Sequence, residues 1–97
     1  MRVMIIGGGG REHALAWKLA QSPAVEEIVC VPGNGGTSGT PKCRNRNVTE
    51  LEAQVELAEE ENVDLAVVGP EIPLIGGAAD MLRSRGIATV GPGKKAA

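Results

Sequence analysis

Val3-Met4-Ile5-Ile6-Gly7-Gly8-Gly9-Gly10-Arg11-Glu12-His13-Ala14 is the stretch that decides the fold. Val3 to Ile6 is a short, continuous apolar run, the pattern of a strand buried on both faces, as in parallel sheets covered by helices. Glycines follow at once, where a backbone turns sharply and comes close to a ligand. Arg11 to Gln21 holds strong helix formers and stops at Ser22-Pro23, because proline disfavours helix at the residue before it. Glu26 to Val31 resumes a β-branched run and ends at Pro32-Gly33. Strand, glycine turn, helix and strand make a βαβ unit of about 30 residues.

Working outward, residues 32–47 read as a loop, with Gly33, Gly35, Gly36 and Gly39 and two prolines. Thr49 with Glu52 three residues later fits a capping box, and Leu51, Val55 and Ala58 recur at helical spacing behind it. Val63 to Val68 is a second buried-strand pattern, ending at Gly69-Pro70. Leu74 to Arg85 predicts a helix closed by Gly86 as a left-handed cap. Ile87 to Val90 is a last short strand before Gly91-Pro92-Gly93. This order predicts an α/β domain with a mainly parallel sheet flanked by helices. Trp17 is expected in the core, and His13 as a partly buried, hydrogen-bonded residue.

The 97 residues suit one domain, burying roughly 60–65% of the surface its unfolded chain exposes. One tryptophan with no phenylalanine or tyrosine offers no stacking platform for single-stranded nucleic acid. The net charge of −2 supplies no pull toward phosphate backbones or anionic membranes. Residues 1–49 hold six Lys/Arg against three Asp/Glu, and residues 50–97 hold four against nine. The basic excess at Lys42, Arg44 and Arg46 reads as a solvated loop. Cys30 reads as a small buried hydrophobe and Cys43 as a loop residue. With one histidine and no Cys-x-x-Cys, no zinc site or other metal site is expected. No apolar run reaches signal-peptide or membrane-helix length, so the reading is a cytoplasmic protein without nucleic-acid or membrane partners.

Ligands of open parallel sheets sit outside the carboxyl ends of the strands. Three strand ends here carry unusual sequences: Gly7 to His13, Pro32-Gly33-Asn34-Gly35-Gly36-Thr37 and Gly69-Pro70-Glu71-Ile72-Pro73-Leu74. Residues 8–11 suit a phosphate, since helix N-termini favour anions and Arg11 adds charge-assisted bonds; a tight turn without ligand fits the same residues. Glu12 suits a helix first turn for the dipole alone. Asn34 and Thr37 serve either as backbone caps or as ligand contacts. Glu71, held between Pro70 and Pro73, suits ribose hydroxyls or an ammonium group, or simply a helix start. The dinucleotide pattern fails: read from Gly7, its third glycine falls on Glu12, and read from Gly8 on His13. No acid lies between Glu27 and Glu50 to hold an adenosine ribose, and no Gly-Lys-Ser/Thr follows the glycines.

At these loops the chain resembles the N-terminal domain of the phosphoribosylamine–glycine ligases, also called glycinamide ribonucleotide synthetases. The residues that carry the resemblance are Ile5-Ile6-Gly7-x-Gly9-Gly10-Arg11-Glu12-His13-Ala14 with Leu15-Ala16-Trp17-Lys18, and Pro32-Gly33-Asn34-x-Gly36-Thr37. Gly69-Pro70-Glu71-x-Pro73-Leu74 and Gly91-Pro92 complete the set. The resemblance implies a Rossmann-like pre-ATP-grasp domain over residues 1–93, with 94–97 as the start of a linker or the end of the piece. It implies a parent ligase that joins phosphoribosylamine and glycine at the expense of ATP, in de novo purine synthesis. By the same resemblance Gly9, Gly10 and Arg11, with Glu12, are substrate-binding candidates at the phosphate end. Asn34, Thr37 and Glu71 are the candidates for the sugar or amine. No catalytic residue is expected here, and ATP and Mg2+ belong to an ATP-grasp domain absent from these 97 residues. The domain is expected to pack on that absent part and to be inactive alone.

Two other readings stay open at this point. One is a stand-alone Rossmann-like nucleotide-binding module, against which the acid gap after Glu27 counts. The other is the pre-ATP-grasp domain of a different carboxylate–amine ligase, against which the joint presence of Arg11-Glu12-His13 and Pro70-Glu71 counts.

Overall fold

The computed structural model describes residues 1–7, 10–33, 39–68 and 75–90. Five strands, β1 (Arg2–Gly7), β2 (Glu27–Pro32), β3 (Cys43–Asn45), β4 (Leu65–Val68) and β5 (Ala88–Val90), alternate with α1 (Gly10–Ala20), α2 (Leu51–Glu60) and α3 (Ile75–Ser84). The strands form one parallel sheet in the order β3-β2-β1-β4-β5. This is the Rossmann-like α/β layer that the sequence predicts.

The central strands are apolar along their buried stretches because both faces of the sheet are covered. Met4, Ile6, Val29, Val31, Ala66 and Val68 face one way and pack with Val55, Leu57 and Ala58 of α2 and Leu82 of α3. Val3, Ile5, Ile28 and Cys30 face the other way and pack with Ala16 of α1, joined by the partly buried Leu15 and Leu19. Each strand therefore presents alternate residues to two different cores. Cys30 is fully buried, as expected.

Both helices on the first face end the same way. After α3, Gly86 N donates to Arg83 O and Ile87 N to Leu82 O, with Gly86 at φ +78. After α2, Asn62 N donates to Glu59 O and Val63 N to Ala58 O, with Asn62 at φ +55. Both are Schellman closures, and in each the residue after the left-handed one joins the core beside the carbonyl it bonds. Gly86 was legible as such a cap; Asn62 plays the same part without being glycine.

Three expectations are corrected. The stretch 32–47 contains β3, which carries no hydrophobic run because it is an edge strand with Arg44 exposed. Ladder bonds hold it, including Ile28 N to Lys42 O and Arg46 N to Cys30 O, both 2.9 Å. Cys43 accordingly sits half-buried in a strand beside Cys30, not in a loop. Second, α2 has no Thr49 capping box: Glu50 is the N-cap, extended and without a side-chain cap bond. Gln54 instead donates its Nε2 back to Val48 O at 2.8 Å, anchoring the entry of the helix. Third, Trp17 is 56% exposed. The inward stripe of α1 runs through Glu12, Ala16 and Ala20 at four-residue spacing, and position 17 falls off it.

Candidate ligand edge of the sheet

The strand order changes direction at β1. The chain moves from β1 to β2 and β3 on one side, then crosses to β4 and β5 on the other. In open parallel sheets the crevice outside the carboxyl ends at such a switch point is the ligand site. Registers bring the strand ends level: Gly7 pairs with Pro32, Ile6 with Val68, and Val67 with Val90. The described ends of β2, β1 and β4, at Gly33, Gly7 and Val68, therefore lie at one edge of the sheet, on three neighbouring strands.

At the first of these ends, Gly7 is buried with φ +141. A Cβ there would lie 2.8 Å from both Cγ and Cδ of Glu12, and closer still to Oε1. Position 7 must be glycine for two reasons, its backbone region and the side chain lying over it. The carboxylate belongs to the first turn of α1, where the helix dipole favours it, and Glu12 is only 3% exposed. α1 starts at Gly10, and the start of a helix is the usual place for an anion, because its first backbone N–H groups have no partner within the helix. His13 is half-buried.

The second end repeats the device with other residues. Gly33, at φ +77, lies under Asn45 of β3, and a Cβ there would sit 2.9 Å from Nδ2 and closer to Oδ1. Asn45 was missed in the sequence because its segment has no strand pattern, and only the register of β3 against β2 brings it to Gly33.

Charged side chains collect at the opposite edge. Arg2 N donates to Asp64 Oδ2 at 2.7 Å, and Arg2 Nη1 to Glu61 O at 2.8 Å. Arg44 pairs with Glu27 at 2.8 Å and with Glu61, and the N-terminal amine with Glu26 at 3.2 Å. Lys42 donates to the carbonyls of Ser22 and Val25. Two of the three basic residues at 42–46 are thus committed to holding β3, rather than free to steer an anion. Burial raises the Cys43 thiol above its ordinary value, an effect partly offset by its hydrogen bond with Cys30. Among the described residues no group of three His, Cys, Asp or Glu could hold a metal ion. Nor is any described helix long and apolar enough to cross a membrane.

Of the sequence-predicted site residues, Gly10 and Arg11 open α1 and Glu12 lies buried behind Gly7. Gly9, Asn34, Thr37 and Glu71 lie outside the described residues. Residues 1–97 match the family described as phosphoribosylglycinamide synthetase, N domain. The chain belongs to this family. As a phosphoribosylglycinamide synthetase N domain, the chain carries a Rossmann-like sheet with a switch at β1 and glycine at the end of that strand. Curated relatives named phosphoribosylamine–glycine ligase include one from Pseudomonas putida, 54% identical over 99 residues. Others come from Clostridium acetobutylicum, 50% identical over 94 residues, and Nostoc sp., 46% over 99 residues. These alignments cover 97–100% of this chain and 23% of each relative. The chain spans about a quarter of the length of the ligases it matches.

Proposed function

We propose that this chain is the substrate-binding N-terminal domain of a ligase that joins phosphoribosylamine to glycine with ATP, giving glycinamide ribonucleotide, ADP and phosphate. Family membership and the names of the relatives support the reaction. The observation that carries the site is the strand switch at β1, where Gly7 precedes the N-terminus of α1 beside the end of β4.

In this reading the phosphate of the ribosyl substrate lies at the start of α1. Backbone N–H groups from Gly9 and Gly10 and the guanidinium of Arg11 serve as its donors. Asn34, Thr37 and Glu71 serve the sugar and its amine from the neighbouring strand ends. Glu12 belongs to the same site through Gly7. The amine of phosphoribosylamine attacks an acyl phosphate of glycine, and the domain's part is to hold that amine in line. ATP would supply the phosphoryl group, with Mg2+ balancing its charge, from the part of the ligase outside this domain. The 97-residue domain binds without catalysing, packs on that rest, and works in the cytoplasm.

A dinucleotide-binding module is the competing reading, because it uses the same glycine turn and switch point. The described end of β2 counts against it: this strand finishes Cys30-Val31-Pro32 and then Gly33, with no acid for a ribose 2′-hydroxyl. Calorimetric titration of the chain with glycinamide ribonucleotide and, separately, with NAD tests the two. Heat with the ribonucleotide alone supports the ligase reading, and heat with NAD alone overturns it.

A further inference from the structure

We infer that Glu12 is the positioning residue of the substrate site, a buried brace that sets the direction in which the chain leaves β1 rather than a group that touches the ligand. The inference rests on the proposed phosphate site at the start of α1.

Four observations carry it. The Glu12 side chain occupies the space that any side chain at position 7 would need, so strand end and helix start are fitted to each other. Gly7 sits at φ +141, a region open to glycine and closed to residues with a side chain, so the end of β1 depends on position 7 having none. Glu12 is 3% exposed, which removes its carboxylate from solvent. Gly7 also terminates the strand at the switch point, in register with Pro32 and one residue beyond the Ile6–Val68 pair.

A carboxylate in a helix first turn is favoured by the dipole wherever it points. Here it turns inward, onto the backbone of the strand end. A group there governs the angle between β1 and α1, and so the aim of the N–H groups that open the helix. Gly7 and the glutamate at position 12 are then one device: the glycine makes room and the glutamate fills it.

The test uses Glu12→Ala, Glu12→Gln and, as a control that loses core packing on the far face, Val55→Ala. Each is measured for glycinamide ribonucleotide affinity well below its melting temperature, and for amide hydrogen exchange at Gly7 and Gly10 without ligand. Glu12→Ala is expected to weaken binding by about tenfold or more and to speed exchange at Gly7 and Gly10. Glu12→Gln, which keeps the shape and one acceptor oxygen, restores both, while Val55→Ala changes stability and neither readout. Unchanged affinity and unchanged exchange in Glu12→Ala overturn the inference. So does a Glu12→Gln variant that binds as weakly as Glu12→Ala with normal exchange, because the charge itself would then be the ligand contact. If the unsubstituted chain binds no ribonucleotide, the functional reading fails by itself. The exchange comparison then still decides whether Glu12 braces the turn.

Discussion

The carboxylate of Glu12 lies directly over the Cα of Gly7, in the space where a side chain would begin. Gly86 is also left-handed, at φ +78, but nothing lies within 4 Å of where its Cβ would be. The two glycines therefore separate backbone strain from crowding. Gly86→Ala is expected to cost only the left-handed penalty, about 1–2 kcal/mol. Gly7→Ala adds collision with a buried side chain and is expected to cost about 3 kcal/mol or more. Thermal melts of the two variants check this; equal losses would show that Glu12 yields freely.

Asn62 closes α2 as Gly86 closes α3, and each is followed by a residue that bonds back into its helix. Asn62→Gly is expected to keep or raise the melting temperature, because glycine takes the same conformation without strain. Asn62→Val, β-branched at positive φ, is expected to lower it by roughly 4–8 °C per kcal/mol lost.

Trp17 supplies a direct optical check, since it is the sole aromatic side chain of the phenylalanine, tyrosine and tryptophan set. At 56% exposure its emission is expected to be that of a largely hydrated indole, readily quenched by iodide in the native state. Trp17→Gln should change stability by no more than about 0.5 kcal/mol, as at other surface positions. A blue-shifted, protected emission would put Trp17 back in a core.

Cys43 has its thiol raised by burial, so at a given pH less of it is thiolate. Alkylation at pH 8 should be slower in the folded chain than in the denatured chain. Cys30, fully buried, should be slower still. Mass spectrometry of timed alkylation resolves the two sites.

What could be read from the sequence follows from where the information is local. β1 was legible because five successive residues of it, from Val3, are buried and must be apolar or glycine. The Gly86 cap was legible because glycine after a helical stripe is a local signal. β3 was not, because it depends on partners remote in sequence: the ladder to β2, and Arg44 reaching Glu27 and Glu61. Trp17 misled because helix periodicity tells the stripe only once its phase is known, and the phase here is set by Ala16 and the buried Glu12. At the site, the need for glycine at position 7 was visible in the motif. Its second cause was not, since the inward turn of Glu12 and the cover of Gly33 by Asn45 exist only after folding.

Amide-resolved NMR of the chain titrated with glycinamide ribonucleotide tests the central claim most directly, because it locates the ligand on the sheet. The strand-switch account predicts saturating shifts at Gly9, Gly10 and Glu71, with Arg2, Glu61 and Asp64 at the opposite edge unmoved. Shifts confined to that opposite edge, or saturation by NAD with none by the ribonucleotide, would contradict it.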